Sequence, residues 1–116
     1  MTTVKETEKF LKDLKSIVKK HPEFSDHYSR IVKIALSKLD KVPDIVRADR
    51  ISGLGEKYAQ YPVYKLRVHK CAKMRLIYYR NLQENTVVLL EAYCKNQQET
   101  ENRSRIYDYL DSLAGN

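Results

Sequence analysis

The sequence has little of what secreted, disulfide-rich or membrane proteins contain. Its 116 residues include two cysteines and no tryptophan, and no apolar run approaches the ~18 residues that span a membrane. Cys71 and Cys94 have no C-x-x-C partner, which predicts reduced cysteines and no structural zinc. Charged side chains occupy most of positions 5–9, where a signal peptide would be apolar. We therefore expect a soluble, cytoplasmic protein with no membrane partner.

The motifs of nucleotide-binding and zinc-dependent enzymes are also missing. The chain contains no GxxxxGK[ST], GxGxxG or HExxH segment. Its three histidines, His21, His27 and His69, are scattered, and only His69 lies beside a basic segment. We therefore expect neither a cofactor nor a metal.

The length and composition of the chain predict a single domain over residues 1–116. A chain of this size encloses one hydrophobic core. Hydrophobic residues make up 42% of the sequence and charged residues 32%, which is typical of a globular protein and argues against disorder.

Positive charge is concentrated in one segment. The net charge of +7 comes from 22 basic and 15 acidic residues, and residues 61–80 contain six basic residues and no acidic one. Four tyrosines lie among these cations, which suits a nucleic acid because cations contact phosphates and rings contact bases. An acidic protein partner fits the segment equally well, and a solvated strand surface is a third interpretation.

The first forty residues predict a helical hairpin. Apolar residues recur at the helical period over 10–18 and again over 28–39. Pro22 separates the two segments, and Ser25 is the expected N-cap of the second. The opening residues, 2–7, fit either a helix-capping box or a short edge strand.

The second half of the chain predicts a sheet followed by a helix. Alternating or continuous apolar patterns predict strands at 61–68, 74–80 and 86–94, the last buried on both faces. Short polar loops join them as antiparallel hairpins. An apolar stripe over 106–113 predicts a C-terminal helix, and residues 43–60 predict an irregular connection.

Together these elements predict an α+β fold. An N-terminal helical hairpin packs on a small antiparallel sheet of three to four strands, and a C-terminal helix follows. We expect the helices on one face of the sheet and the other face partly open.

Pairing of the first two predicted strands gathers cations on one face. It places Arg67 opposite Arg75 and puts Lys65 on the face of Arg67. Opposed like charges cost stability, so the side chains either diverge or hold an anion between them. The third strand would add Tyr93 or Lys95. Such a site suits a phosphodiester and would allow RNA cleavage by the RNA's own 2′-OH, but a face that only binds an acidic helix or a nucleic-acid backbone fits the same spacing.

Three segments of the chain resemble one toxin superfamily. They are VYKLRV (63–68), MRLIYY (74–79) and VLLEAYCK (88–95). The order "KLR, short loop, R[LI][IV]Y, apolar strand ending in an aromatic residue and a lysine" is similar to that of the superfamily typified by RelE, ParE and HigB. These are small basic toxins of type II toxin–antitoxin modules. The helical hairpin and the final helix match their layout, so the resemblance covers nearly the whole chain.

The resemblance implies a RelE-like toxin that binds a cognate antitoxin in a hetero-oligomer. In the RelE-like branch the toxin is an endoribonuclease, or mRNA interferase, which cleaves mRNA on the ribosome without a metal and arrests translation and growth. On that basis Lys65 would act at the scissile phosphate and Arg75 would stabilise the transition state. Tyr93 would stack on a base, and Lys95 would be the basic residue after the last strand. The RNA-binding candidates are Arg67, His69, Lys70, Lys73 and Arg80.

Some positions differ from the RelE pattern and leave other functions open. Asn96 stands where RelE-like toxins have an arginine, and Tyr107 is the nearest counterpart of their C-terminal tyrosine. The segment 95–100 is closer to HigB-like toxins. One alternative is a ParE-like inhibitor that acts by binding DNA gyrase, and another is a non-catalytic nucleic-acid-binding domain.

Overall fold

The computed structural model describes residues 1–68 and 73–114. Its strands are β1 (Thr3–Glu6), β2 (Ala48–Arg50), β3 (Val63–Val68), β4 (Met74–Asn81) and β5 (Thr86–Cys94). They form one sheet in the spatial order β1-β5-β4-β3-β2. β1 runs parallel to β5, and the other pairs are antiparallel. The α+β fold is as predicted, but the sheet has five strands where three to four are expected.

The first helix, Glu8–Lys20, has clear signals at both ends. The Thr7 hydroxyl caps its start by accepting a hydrogen bond from the Phe10 amide at 3.3 Å. Lys19 and Lys20 lie in the last turn, where cations interact favourably with the helix dipole. The last helical residue is Lys20, and His21 is the C-cap. Because His21 precedes a proline, its backbone is sterically restricted from the helical conformation.

The second helix is continuous over residues 23–36 and contains a π-helical turn. An α-helical segment (Glu23–His27) leads into the π turn (Tyr28–Val32) and then into a further α-helical turn (Lys33–Leu36). In a regular α-helix, residues four apart drift by about 40° around the axis. The π turn has more residues per turn, which reduces this drift. Apolar residues spaced four apart therefore stay on one face of the helix. These buried residues are Phe24, Tyr28, Val32 and Leu36.

The start of the second helix differs from the expectation. The helix begins at Glu23 rather than after a Ser25 N-cap, and Pro22 occupies the capping position without a side-chain hydrogen bond. The fixed φ of proline suits the first turn of a helix, so the residue that ends one helix also begins the next.

Two short strands lie at the edges of the sheet. Residues Thr3–Glu6 form β1, so the edge-strand alternative for the N-terminus is confirmed. β2, Ala48–Arg50, lies within the segment predicted to be irregular. Its three residues carry no strand periodicity, and its pairing with β3 defines it.

The two predicted hairpin strands and the buried strand are confirmed almost residue by residue. β3 pairs with β4 so that Arg67 lies opposite Arg75, as predicted. All nine residues of β5 are buried. Residues 82–85 form the turn between β4 and β5, with Asn85 in the left-handed region at φ 51°. The loop between β3 and β4 lies outside the described residues, except for Lys73.

Helices pack on both faces of the sheet, which corrects the expectation that they all lie on one face. The first and second helices pack on one face, where Phe10 and Leu36 join Leu76 and Leu89 in a buried cluster. The C-terminal helix, Arg103–Ala114, packs on the other face. There Ile106 and Leu110 join a second cluster with Val63, Ile77, Tyr79, Val88, Leu90 and Tyr93. The consecutive apolar residues of β5 supply side chains to both clusters.

Two charged side chains form hydrogen bonds with the part of the β5 edge that β1 does not pair with. β1 pairs with β5 only as far as Leu89. Beyond it, Asp13 Oδ2 accepts a hydrogen bond from the Ala92 amide at 3.1 Å, and Arg105 donates to the Leu90 carbonyl at 3.2 Å. Asp13 and Arg105 also form an ion pair at 2.5 Å, which joins the first helix to the C-terminal helix.

Among the described helices, none is both long and apolar enough to cross a membrane.

Candidate functional site

Four predicted site residues, Lys65, Arg67, Arg75 and Tyr93, lie in two adjacent rows across one face of the sheet. The first row places Arg67, Arg75 and Tyr93 side by side on the three strands. In the second row, Asp49 of β2 lies opposite Lys65, which is paired through Ile77 with Glu91 of β5. Residues 61–80 contribute no acidic side chain to this face. Its carboxylates come from the two flanking strands, Asp49 from β2 and Glu91 from β5.

Arg67 and Arg75 diverge from one another. Arg67 forms an ion pair with Asp49, with 3.4 Å between Arg67 Nη2 and Asp49 Oδ2. Arg75 donates a hydrogen bond to the backbone carbonyl of Met74 at 3.1 Å. Each guanidinium takes a different partner, so the like charges are separated. The Arg67 side chain is 55% exposed and remains accessible to an anion from solvent.

Lys65 forms an ion pair with a carboxylate from outside the basic segment 61–80. Its Nζ lies 2.7 Å from Glu101 Oε1, and the two side chains are 24% and 4% exposed respectively. The positive charge of Lys65 also lowers the pKa of the nearby Tyr93 hydroxyl, against the larger effect of burial. Lys65 therefore lies at the centre of a polar group in which Glu101 balances its charge.

Glu101 holds a second cation and the connection that precedes the C-terminal helix. Its Oε2 accepts a hydrogen bond from Arg103 Nε at 3.1 Å, and its Oε1 accepts one from the Thr100 hydroxyl at 2.8 Å. Burial alone would raise the pKa of the Glu101 carboxyl, but the hydrogen bonds from Lys65 and Thr100 outweigh burial and lower the pKa to about 2. The carboxylate is therefore ionised at neutral pH.

A second buried carboxylate, Glu91, fixes the same connection from the sheet side. Glu91 accepts hydrogen bonds from Gln98 Nε2 at 2.7 Å and from the Asn102 amide at 2.8 Å. Asn102 in turn caps the C-terminal helix, because its side-chain oxygen accepts from the Arg105 amide at 3.1 Å. Glu91 and Glu101 thus hold the segment that delivers Arg103 to this face.

Tyr93 lies in the site with its ring buried. The residue is 5% exposed and belongs to the cluster beneath the C-terminal helix. Burial raises the pKa of its hydroxyl, an effect that the positive charge of Lys65 partly offsets. The buried ring offers no face for stacking on a base, in contrast to the expectation. Its hydroxyl, whose pKa the charge of Lys65 lowers, is the group of Tyr93 that belongs to the polar site.

Lys73 and Lys95 lie together at one end of the sheet. The Lys95 amide donates to the Lys73 carbonyl at 2.9 Å, and both side chains are exposed. They lie next to the row of Arg75 and Tyr93, so they extend the line of cations along the sheet. The remaining two candidates, His69 and Lys70, lie outside the described residues.

Arg80 does not belong to this face. It is 9% exposed, and its guanidinium donates to the Thr86 carbonyl at 3.0 Å and to Asn85 Oδ1 at 2.9 Å. It lies on the side of the sheet that the first and second helices cover, beside a cavity of about 630 Å³ that Tyr64 and Tyr78 also line. The expected role of Arg80 in a common RNA-binding surface is therefore not supported by its position, because its donors are used to hold the β4–β5 turn.

Two further sequence positions are clarified by the structure. The ring of Tyr107 stacks on that of Tyr58, with centroids 5.0 Å apart, so Tyr107 is a packing residue of the C-terminal helix. Asn96 is exposed in the turn after β5. Arg103, seven residues later, supplies an arginine to the cationic face through its contact with Glu101.

Lys65, Arg67, Glu101 and Arg103 border a cleft of about 180 Å³ between β2, β3 and the start of the C-terminal helix. Four cations and two carboxylates line it, so an excess of positive charge remains for an anionic ligand. Within residues 1–68 and 73–114, no group of three or more His, Cys, Asp or Glu side chains is arranged to hold a metal ion. The chemistry that the cleft offers is charge stabilisation by lysine and arginine. The lining residues are Asp49, Arg50, Ile51, Ser52, Lys65, Arg67, Glu101 and Arg103.

Sequence reasoning missed the acidic members of this site and Arg103. Glu91 has a detectable signal, because a single acid within an otherwise apolar, fully buried strand requires hydrogen-bonding partners. Glu101 and Arg103 have none, because they lie in a polar connection whose return to the sheet depends on tertiary packing. The sequence also gives no signal for Asp49 as a site residue, because β2 is not predicted.

The comparisons with known proteins agree on the fold. Neither the protein-family models nor the curated proteins include a match to this chain. One similar solved structure is a chain of the archaeal RelE–RelB complex from Pyrococcus horikoshii, with 19% identity and a TM-score of 0.53 over 83% of this chain and 97% of that one. Another is the conserved hypothetical protein HP0892 from Helicobacter pylori, with 20% identity and a TM-score of 0.50 over 84% and 98%. The chain therefore has a RelE-like fold, as predicted.

Proposed function

We propose that this RelE-like chain is the toxin of a type II toxin–antitoxin module and acts as an endoribonuclease on mRNA at the ribosome. The observation that carries the proposal is the placement of Lys65, Arg67 and Arg75 on one face of the sheet, with the Tyr93 hydroxyl among them. Cations fixed on adjacent strands suit a phosphodiester because they stabilise the charge that develops during its cleavage.

The proposed reaction uses the RNA's own 2′-hydroxyl as the nucleophile. A bond forms between O2′ and the adjacent phosphorus, and the bond between phosphorus and O5′ breaks. The proton of the 2′-hydroxyl leaves to a base, and O5′ takes up a proton as it departs. The products are a 2′,3′-cyclic phosphate and a free 5′-hydroxyl, and no metal or cofactor takes part.

The side chains have distinct roles in this reaction. Arg75, in the centre of the row and hydrogen-bonded to the Met74 carbonyl, stabilises the negative charge of the pentavalent phosphorus. Lys65 contacts the scissile phosphate, and the Tyr93 hydroxyl lies beside it on the same face, where the charge of Lys65 lowers its pKa. Arg67, Lys73 and Lys95 are exposed cations that bind flanking phosphates of the message or of ribosomal RNA.

An antitoxin would be the protein partner of this face. The similar archaeal RelE was crystallised in complex with RelB. In this chain, an acidic segment would pair with the exposed cations and exclude RNA from them. The cytoplasm is where such a toxin would meet both its antitoxin and translating ribosomes.

The proposal is tested by inducing the protein in a bacterial host and mapping mRNA 5′ ends. We expect growth arrest and new 5′ ends within translated messages, and we expect Arg75→Ala to reduce their formation by about 100-fold, the loss typical of a donor that stabilises transition-state charge. Arg30→Ala is the matched control, because Arg30 is an exposed arginine on the second helix, which covers the opposite face. It should cleave like the parent protein.

Other outcomes would contradict the nuclease. Growth arrest with intact messages would favour a gyrase-binding toxin, and binding to bulk nucleic acid without toxicity would favour a plain nucleic-acid-binding domain. Unchanged cleavage by a folded Arg75→Ala variant would remove Arg75 from the site.

A further inference from the structure

One carboxylate in the cleft bridges two cations from different parts of the chain. Glu101 Oε1 lies 2.7 Å from the Lys65 ammonium of β3, and Oε2 lies 3.1 Å from Arg103 Nε at the start of the C-terminal helix. The carboxylate is almost completely buried, whereas the Arg103 side chain is 41% exposed. The two cations therefore already face a common anionic group.

The contacts of Glu101 resemble those that a phosphodiester makes. A phosphodiester carries one negative charge on two non-bridging oxygens, as a carboxylate carries one charge on two oxygens. Each oxygen can accept a charge-assisted hydrogen bond from a lysine or an arginine. The cleft beside Glu101 also opens toward Arg50 and Arg67, so a nucleic-acid backbone can enter with a further phosphate near those cations.

We infer that Lys65 and Arg103 form one phosphate-binding pair and that Glu101 is its resident counter-ion, which an RNA phosphate must displace. The inference rests on the proposed function in taking RNA as the ligand. It adds Arg103 as a binding residue and Glu101 as the residue that sets how tightly the site binds.

A resident counter-ion has a clear physical purpose in this position. Lys65 is only 24% exposed, and an unpaired cation at that depth is costly. Glu101 removes that cost in the free protein. It also weakens binding, because part of the interaction energy of the RNA is spent on separating Glu101 from Lys65 and Arg103.

The experiment measures binding of a single-stranded RNA that carries 2′-O-methyl groups throughout and so has no nucleophile for cleavage. We expect Glu101→Gln to bind this RNA about tenfold more tightly than the parent protein, as expected for cations freed to make charge-assisted contacts. The dependence of log K on log salt should steepen by about 0.7 for each cation that gains a phosphate.

The matched control is Asp26→Asn, which adds the same charge elsewhere. Asp26 pairs with Arg30 on the second helix, and both side chains are exposed. The inference requires a larger gain from Glu101→Gln than from Asp26→Asn. Equal gains would show a general charge effect and would overturn it.

Adding Arg103→Gln or Lys65→Gln to the Glu101→Gln variant gives a second test. Each should cancel most of the gain and flatten the salt dependence, and a gain that survives both would overturn the inference. The single variant Arg103→Gln replaces a partly exposed side chain, so we expect it to fold. It should weaken binding and reduce the slope by about 0.7, and unchanged binding would overturn the inference even if Glu101→Gln fails to fold.

The binding assay separates this inference from the nuclease proposal. Tighter binding by Glu101→Gln without any mRNA cleavage by the parent protein would support the phosphate pair and contradict the nuclease. Cleavage by the parent protein, with no change in binding on replacing Glu101 or Arg103, would support the nuclease and contradict the phosphate pair.

Discussion

Arg75 and Arg80 lie on the same strand and have different roles because of the strand's twofold alternation. They are five positions apart, an odd number, so their side chains point to opposite faces of β4. Arg75 lies beside Arg67 and Tyr93, whereas Arg80 is buried and hydrogen-bonded to the turn between β4 and β5. A basic segment in a sequence therefore combines side chains that the fold sends to different environments.

Arg80 is predicted to contribute to stability and not to RNA binding. Arg80→Ala leaves the Thr86 carbonyl and Asn85 Oδ1 without these donors, at a cost of about 2 kcal/mol in the free energy of unfolding. Denaturant titration measures the loss. The affinity for 2′-O-methyl RNA under native conditions should stay unchanged. Weaker RNA binding at unchanged stability would contradict this assignment.

Glu101 should make the stability of the protein depend on pH in the acidic range. Its pKa is about 2 in the folded protein and 4.5 in the reference state, so its contribution is fully present above 4.5 and is lost as the pH falls toward 2. The shift corresponds to about 3 kcal/mol. The difference in unfolding free energy between the parent protein and Glu101→Gln should therefore shrink over this range. A constant difference would show that Lys65 and Thr100 do not lower the pKa of Glu101.

At the scale of elements, an edge of β5 depends on two side chains from different helices. β1 ends at Leu89, and Asp13 then accepts from the Ala92 amide while Arg105 donates to the Leu90 carbonyl. These contacts satisfy backbone groups that would otherwise be open to pairing with another chain.

Asp13→Ala should destabilise the protein by about 3 kcal/mol because it removes the acceptor for Ala92 and leaves the partly buried Arg105 without its ion pair. Hydrogen exchange should accelerate at the Ala92 amide more than at amides in the centre of β4. Uniform acceleration would mean that Asp13 acts only on global stability. Glu8→Ala is a suitable control, because Glu8 is an exposed acid on the same helix that forms a long, 4.0 Å ion pair with Lys12.

The elements that the sequence predicts well are those whose own residues determine them. β3, β4 and β5 have strong alternation or continuous apolar runs, and their limits and register follow from that pattern. β1 and β2 have three or four residues each, too few for a period to be seen, and form because β5 and β3 offer them hydrogen-bonding partners. The face on which a helix packs is likewise a tertiary choice, so the position of the C-terminal helix was not predictable from its apolar stripe.

At the scale of the whole molecule, the fold brings carboxylates from distant parts of the chain to the basic segment. Residues 61–80 contain only basic charges, but Asp49, Glu91 and Glu101 come to the same face from β2, β5 and the final connection. The cations Lys65, Arg67 and Arg75 were predictable because they lie on two regular strands. Their counter-ions were not, because they are distant in sequence and meet the cations only through sheet order and helix packing.

The central claim is that this RelE-like chain cleaves mRNA through the RNA's own 2′-hydroxyl. The most direct measurement incubates the purified protein with ribosomes carrying a defined message and determines the chemistry of the cut ends. We expect a 2′,3′-cyclic phosphate and a 5′-hydroxyl at a discrete position. A 2′-O-methyl group at that nucleotide should abolish cleavage, and Arg75→Ala should reduce it about 100-fold. Intact messages, or ends bearing a 5′-phosphate and a 3′-hydroxyl, would contradict it.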